Sequence, residues 1–160
     1  MDKQIVFDFL DKHKIAYKKY FHEATVSVED SKRIIDIPDA LGCKSLLVKD
    51  KKSDRYFLAV IPSDKRADMR GLAKYVGAEK FEFASAEKLL EFFDVTRGNV
   101  SPFCFLCPSS KSVGLLIDKK LTEVGQVRFH PCDNTATVSL TNQDFFVCMK
   151  ILDKKAIITE

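Results

Sequence analysis

The chain has 160 residues, 46% of them hydrophobic and 31% charged, a mixture that supports a packed core and excludes a disordered or fibrous polypeptide. Its 26 basic and 23 acidic residues leave a net charge of +3, too mild to mark a nucleic-acid-binding protein by itself and no bar to a small RNA contact. No apolar run approaches the ~20 residues that span a bilayer, and the opening "MDKQIVFDFLDKHK" is charged throughout, so the expectation is a soluble cytoplasmic protein with one domain over residues 1–160.

In chain order, residues 2–13 are expected to form an amphipathic helix, because Ile5, Val6, Phe9 and Leu10 recur at helical spacing between charges. "IAYKKYF" (15–21) reads as a strand, and "ATVSVEDSKRIIDI" (24–37) as a second helix with a Thr or Ser cap. Pro38 and Gly42 then break the chain. "CKSLLVKD" (43–50) and "RYFLAVIP" (55–62) are β-rich runs joined by the polar "KKSD", the pattern of a hairpin. "DMRGLAKYVG" (68–77) reads as a short helix closed by Gly77, "KFEFA" (80–84) as a strand, and "SAEKLLEFF" (85–93) as a helix capped by Ser85. After "RGNVSPF" (97–103), "SVGLLID" (112–118), "QVRFHP" (126–131) and "TATVSL" (135–140) read as strands. "TNQDFFVCMKIL" (141–152) is the closing helix, capped by Thr141 or Asn142. This irregular alternation predicts a mixed α/β (α+β) domain with a mixed sheet packed against helices, not a doubly wound parallel sheet. There is no internal repeat, low-complexity segment or linker.

Phosphate-binding glycine loops, a GxSxG elbow and an HExxH pair are all absent from the sequence. The polar residues that stand out are therefore weighed singly. "RGNVSPF" is either a plain turn or a rigid loop whose Gly98 lets the backbone approach a ligand. Lys44, at the head of a strand, is either an exposed strand end or an ammonium aimed into a cleft. His130, beside Pro131, is either a satisfied structural histidine or a hydrogen-bond donor to a substrate. Asn134 and Thr135 open a strand and can simply form a turn. Cys43, next to Lys44, is a small core residue or a thiol activated by a cation. The five cysteines, with no secretory signal, predict reduced thiols; Cys104, Cys107, Cys132 and His130 are the alternative, a zinc set of poor spacing. The lysines at 18–19, in "KDKK" at 49–52, and in the pairs 119–120 and 154–155 read as a solvated rim.

Taken in order, "CKSLLVKD", "RYFLAVIPSDKRADMRGLAKYVG", "FEFASAEKL", "GNVSPF" and "FHPCDNTATVSL" resemble one family, the prolyl-tRNA synthetase-associated editing domains, or YbaK-type aminoacyl-tRNA deacylases. The likeness runs from about residue 15 to 150 and is nearest to the freestanding members that clear alanine from proline tRNA. It implies a curved mixed sheet surrounded by helices. It also implies hydrolysis of the ester between a wrong amino acid and the tRNA 3′ end. The sequence shows no paired carboxylate or histidine motif that would hold a catalytic ion, so no metal and no cofactor are expected. The family's lysine falls on Lys44, its glycine-x-x-x-proline loop on Gly98 and Pro102, and its histidine on His130. Ser45, Ser101, Pro102, Phe103, Asn134 and Thr135 are the substrate-binding residues that the likeness implies. The partners implied are the acceptor end of a mischarged tRNA and, as a protein partner to consider, prolyl-tRNA synthetase; DNA and membrane are not among them. Two positions depart from the pattern: Ser45 stands where many relatives have asparagine, and Cys104 where small residues are common. The alternatives are clearance of cysteine or serine instead of alanine, and a non-catalytic tRNA- or synthetase-binding module of the same fold.

Overall fold

A computed structural model describes residues 1–25, 27, 29, 37 and 39–160. The helix expected over residues 24–37 lies for the most part outside the described residues. Five helices and eight strands are described: α1 (Lys3–Lys12), β1 (Lys18–Phe21), β2 (Ala40–Asp50), β3 (Tyr56–Pro62), α2 (Met69–Lys74), β4 (Phe81–Phe83), α3 (Ala86–Phe93), β5 (Gly114–Asp118), α4 (Lys120–Glu123), β6 (Gln126–Phe129), β7 (Ala136–Thr141), α5 (Asn142–Ile151) and β8 (Ala156–Thr159). Two short 3-10 turns, Pro102–Leu106 and Pro108–Ser110, lie between α3 and β5. No described helix is long and apolar enough to cross a membrane.

The strands make one mixed sheet in the order β1-β7-β6-β2-β3-β5-β8, with β4 added beside β2. The expected hairpin is present: β2 and β3 run antiparallel from Cys43↔Pro62 to Lys49↔Tyr56. Its turn is tied by Asp50, which accepts from Lys52 N (3.1 Å), Ser53 Oγ (2.9 Å) and Arg55 Nη2 (2.9 Å). β3–β5 and β5–β8 are parallel, so the sheet's centre is covered on both faces, as parallel strands require. Alternation along the strands divides the core accordingly. Leu58, Val60, Leu115 and Ile117 face the larger cluster with Phe93, Phe103 and Phe145; Ala59 and Leu116 face a smaller one with Leu72 and Phe81.

Local chemistry explains the helix ends. Asp2 accepts from Gln4 N, Asp68 from Gly71 N, Ser85 from Lys88 N and Thr141 from Asp144 N, each satisfying an amide that the first turn leaves open. The buried face of α1 is Val6, Phe7, Phe9 and Leu10; Ile5, expected there, is 47% exposed, because Phe7 takes the inward position and stacks with Tyr17.

β8, α4 and the 3-10 turns go beyond the elements expected from sequence. Ser101 caps the first 3-10 turn by accepting from Phe103 N (3.2 Å), with Pro102 at its first position. Lys154, expected on the solvated rim, instead donates to the carbonyls of Ser110 (3.0 Å), Lys111 (3.1 Å) and Val113 (2.8 Å), with its Nζ 4.5 Å from the Phe105 ring centroid. It holds the segment that leads into β5.

Candidate active site

Among the described strands the sheet opens beside β2. On one side β2 is paired with β3 from Cys43 to Lys49, but on the other it meets β6 only over Ala40–Gly42 and β4 only over Val48–Asp50. Leu47 O takes the amide of Ala84, which leaves residues 43–46 without a described strand on that side. β6 ends at Phe129 and hands the chain to His130 just there. A cavity of about 320 Å³ fills the split. Cys43, Lys44, Ser45 and Leu46 form its floor, Thr25 and Ser27 one wall, Gly98 and Val100 another, and Ser63, Phe129 and His130 complete it.

Four of the residues singled out from sequence, Lys44, Ser45, Gly98 and His130, thus meet in one pocket although they lie far apart in the chain. Ser101, Pro102 and Phe103 do not line it. They are buried behind it, where Phe103 packs edge-on against Phe129 at 6.1 Å and fixes the loop to β6. Asn134 and Thr135 line a neighbouring cleft of about 390 Å³ with Asn99, Cys132 and Asp133. Thr25, Ser27, Ser63 and Val100 were not anticipated. Thr25 and Ser27 sit in a stretch read as an ordinary helix, and Ser63 looks like the polar end of a strand. A further cleft of about 430 Å³ beside Ile61, Lys65 and Tyr75 contains none of the expected residues; Lys65 and Asp118 form an ion pair there.

Lys44 is half-buried, opposite Ile61 in the hairpin. No aspartate or glutamate is among the described residues that line the pocket. Among the described lining residues Lys44 thus gives the cavity a positive charge, suited to an anion or a polarised carbonyl oxygen. Gly98 has φ +87°, and a Cβ on it would meet only Asn134 Nδ2, at 3.7 Å. Glycine is needed there by backbone conformation more than by space.

His130 Nδ1 lies 2.9 Å from Ala136 O, and a carbonyl can only accept, so Nδ1 carries the hydrogen. Burial holds the ring's pKa below its ordinary value, with the nearby His22 adding to that and the Ala136 bond opposing it. The neutral ring then offers a lone pair at Nε2, to which the Thr25 hydroxyl donates (3.3 Å). The donor role expected for His130 thus becomes an acceptor role on the pocket side. His22 is built alike: Nδ1 is 2.7 Å from Glu23 O and Nε2 is 2.9 Å from Thr137 Oγ1.

The thiols point away from nucleophilic work. Burial pushes Cys43 up to about 12, so it is a thiol at neutral pH, and its Sγ donates to Leu41 O (3.5 Å). Cys104 and Cys132 are buried with their sulfurs 3.1 Å apart. Among the described residues no three His, Cys, Asp or Glu side chains come together as a metal-binding group.

A mixed α/β domain whose sheet splits around a cationic, histidine-bearing pocket is the class of protein that these features define. The chain belongs to the aminoacyl-tRNA editing domain family, whose model matches residues 22–147; members of that family are aminoacyl-tRNA deacylases, and the activity is a hydrolase's. It is 34% identical over 143 residues to the prolyl-tRNA editing protein ProX of Acetoanaerobium sticklandii, covering 89% of this chain and 87% of that one. It is 31% identical over 133 residues to the prolyl-tRNA synthetase associated domain-containing protein 1 of Bos taurus, covering 81% and 77%. Among solved structures, the hypothetical protein APE2540 superposes with a TM-score of 0.77 at 17% identity over 99% of both chains. A protein provisionally described as a trans-editing enzyme for prolyl tRNA synthetase gives 0.73 at 16% identity, over 99% of this chain and 96% of that one. These two structures share the fold.

Proposed function

We propose that the protein hydrolyses the ester of mischarged tRNA(Pro), with alanine as the amino acid removed, and that the pocket formed by Lys44, Gly98 and His130 is where it does so. The observation that carries this reading is the pocket's charge: a lysine ammonium with no carboxylate among the described lining residues, beside a neutral imidazole and a strand edge.

An aminoacyl ester is activated already and needs no protein nucleophile. Water adds to the acyl carbon, its π electrons move to the carbonyl oxygen, and the tetrahedral species collapses by breaking the bond to the ribose 3′ oxygen. That oxygen leaves with a proton, giving free amino acid and a free 3′ hydroxyl. Lys44 offsets charge on the terminal phosphate or on the oxyanion as it forms. Once the Thr25 hydroxyl releases its long 3.3 Å bond, Nε2 of His130 accepts a hydrogen from a ribose hydroxyl or from the attacking water, a role that its neutral form permits. The open edge at residues 43–46 and the backbone at Gly98 supply amide groups to orient the ester. The buried Ser101, Pro102 and Phe103 hold that loop in place, and Asn134 and Thr135 act from behind the wall.

ProX is named as a prolyl-tRNA editing protein, which supports proline tRNA as the substrate; the bovine relative's name supports prolyl-tRNA synthetase as a protein partner. The test is deacylation of tRNA(Pro) charged with alanine, serine, cysteine or proline. Turnover of the alanyl ester well above the prolyl ester supports the proposal. Preference for the cysteinyl or seryl ester shifts the substrate, a reading that the shorter Ser45 side chain in the pocket floor favours. Binding of tRNA without turnover of any ester overturns the catalytic reading.

A further inference from the structure

Asn134 is where three distant segments meet. Its side-chain Nδ2 donates to Thr25 O (2.7 Å), and its backbone carbonyl accepts from Thr25 N (3.2 Å). Its backbone amide donates to Asn99 Oδ1 (2.8 Å), and Asn99 is braced in turn by donating through Nδ2 to Thr96 Oγ1 (2.8 Å). Thr25 is 3% exposed and faces the pocket from one wall; Asn99 follows Gly98 on the other. Both walls therefore hang on a residue that does not line the pocket but stands in the cleft behind it.

We propose that Asn134 is a positioning residue which, through Thr25 and Asn99, sets the separation of the two walls and thereby the largest acyl group that the pocket admits; this rests on the deacylase reading above. A pocket rejects a larger group by overlap only if its walls do not yield. The Gly98 turn is exposed, and Asn99 is the side chain that ties it to the strand side. Without that tie the turn can swing outward, since its own bond from Asn99 N to Thr96 O is local. The side chain of Asn134 ties Thr25 through the Thr25 carbonyl, a bond that a shorter side chain cannot make, while the bond to Asn99 runs from the Asn134 backbone amide and is broken from the Asn99 side. Loss of either tie then appears as lost discrimination, because one methylene's worth of room changes selectivity by about 10- to 200-fold.

The test compares rates on tRNA(Pro) carrying alanine or proline for the parent, Asn134→Ala, Asn99→Ala and Asn99→Asp. Asn99→Asp keeps the Oδ acceptor that Asn134 N uses. The alanyl-over-prolyl ratio should fall about tenfold or more in the two alanine variants and stay within about threefold of the parent in Asn99→Asp. If Asn134→Ala does not fold, the two Asn99 variants decide the matter alone. Both esters slowing by one common factor would show a merely structural role and overturn the inference, as would an unmoved ratio. A parent inactive on both esters overturns the deacylase reading and this inference together; an active parent whose ratio resists the substitutions overturns this inference alone.

Discussion

Gly98 and Gly77 both hold φ in the left-handed region, at +87° and +70°, yet one stands in the pocket wall and the other just past α2. Placing a Cβ at such an angle costs about 1–2 kcal/mol whatever the space around it. Gly98→Ala and Gly77→Ala should therefore lose similar stability in denaturant titrations. Only Gly98→Ala should lose deacylation beyond what the unfolded fraction explains. Equal activity in the two variants would return "RGNVSPF" to the status of a turn. His130 gives a second outcome at this scale. Its folded pKa lies below the ordinary value, so between the two values the unfolded chain takes up a proton that the folded chain refuses, and stability is lost as pH falls through about 6.5. The melting temperature of His130→Gln should accordingly drop less between pH 7 and pH 5.5 than the parent's. Parallel curves would mean that His130 is not held neutral. Neither the tautomer nor the shift was legible in the sequence, because both come from Ala136 O and from burial, which are tertiary.

The elements were legible wherever the cause is local. Ser85 and Thr141 cap as expected because a hydroxyl before a helix needs only its own next few amides. The β2–β3 hairpin follows from two apolar runs about a polar turn. β8 was missed because "AIIT" is four residues with no turn signal of its own, and it becomes a strand only by lying parallel to β5. Lys154 was misread for a similar reason: a lysine pair looks solvated until three carbonyls from another segment close on it. Burial lowers its pKa, while the three bonds and the Phe105 face hold the charge where it is. Charged hydrogen bonds contribute roughly 1.5–3 kcal/mol each when well formed, but this ammonium is partly solvated and shares its strength among three acceptors. Lys154→Met should cost about 1–3 kcal/mol, read as a lower denaturation midpoint, while its exposed neighbour in Lys155→Met should change little. A Lys154→Met protein as stable as the parent would place that lysine back on the rim.

Over the whole molecule, the sheet's mixed character was read correctly from the irregular order of strands and helices. The split between β6 and β4 was not, because register is a property of paired strands and no single strand displays it. That split is what turns Lys44 from a strand-end lysine into the cation of a pocket. Residues named for the site from sequence separate along the same line. Lys44, Ser45, Gly98 and His130 reach the cavity, while Ser101, Pro102 and Phe103 are buried and Asn134 and Thr135 line the neighbouring cleft. The most direct measurement is the rate of alanyl-tRNA(Pro) deacylation by Lys44→Ala beside the parent, with the exposed Lys18→Ala and Lys51→Ala as controls and melting temperatures recorded for all. Losing one charge-assisted hydrogen bond is worth ~1.5–3 kcal/mol, or roughly 10- to 150-fold, so Lys44→Ala should fall by at least that order with its melting temperature intact while the controls keep the parental rate. A Lys44→Ala protein that deacylates like the parent, while a rim lysine proves essential, would contradict the placement of the active site.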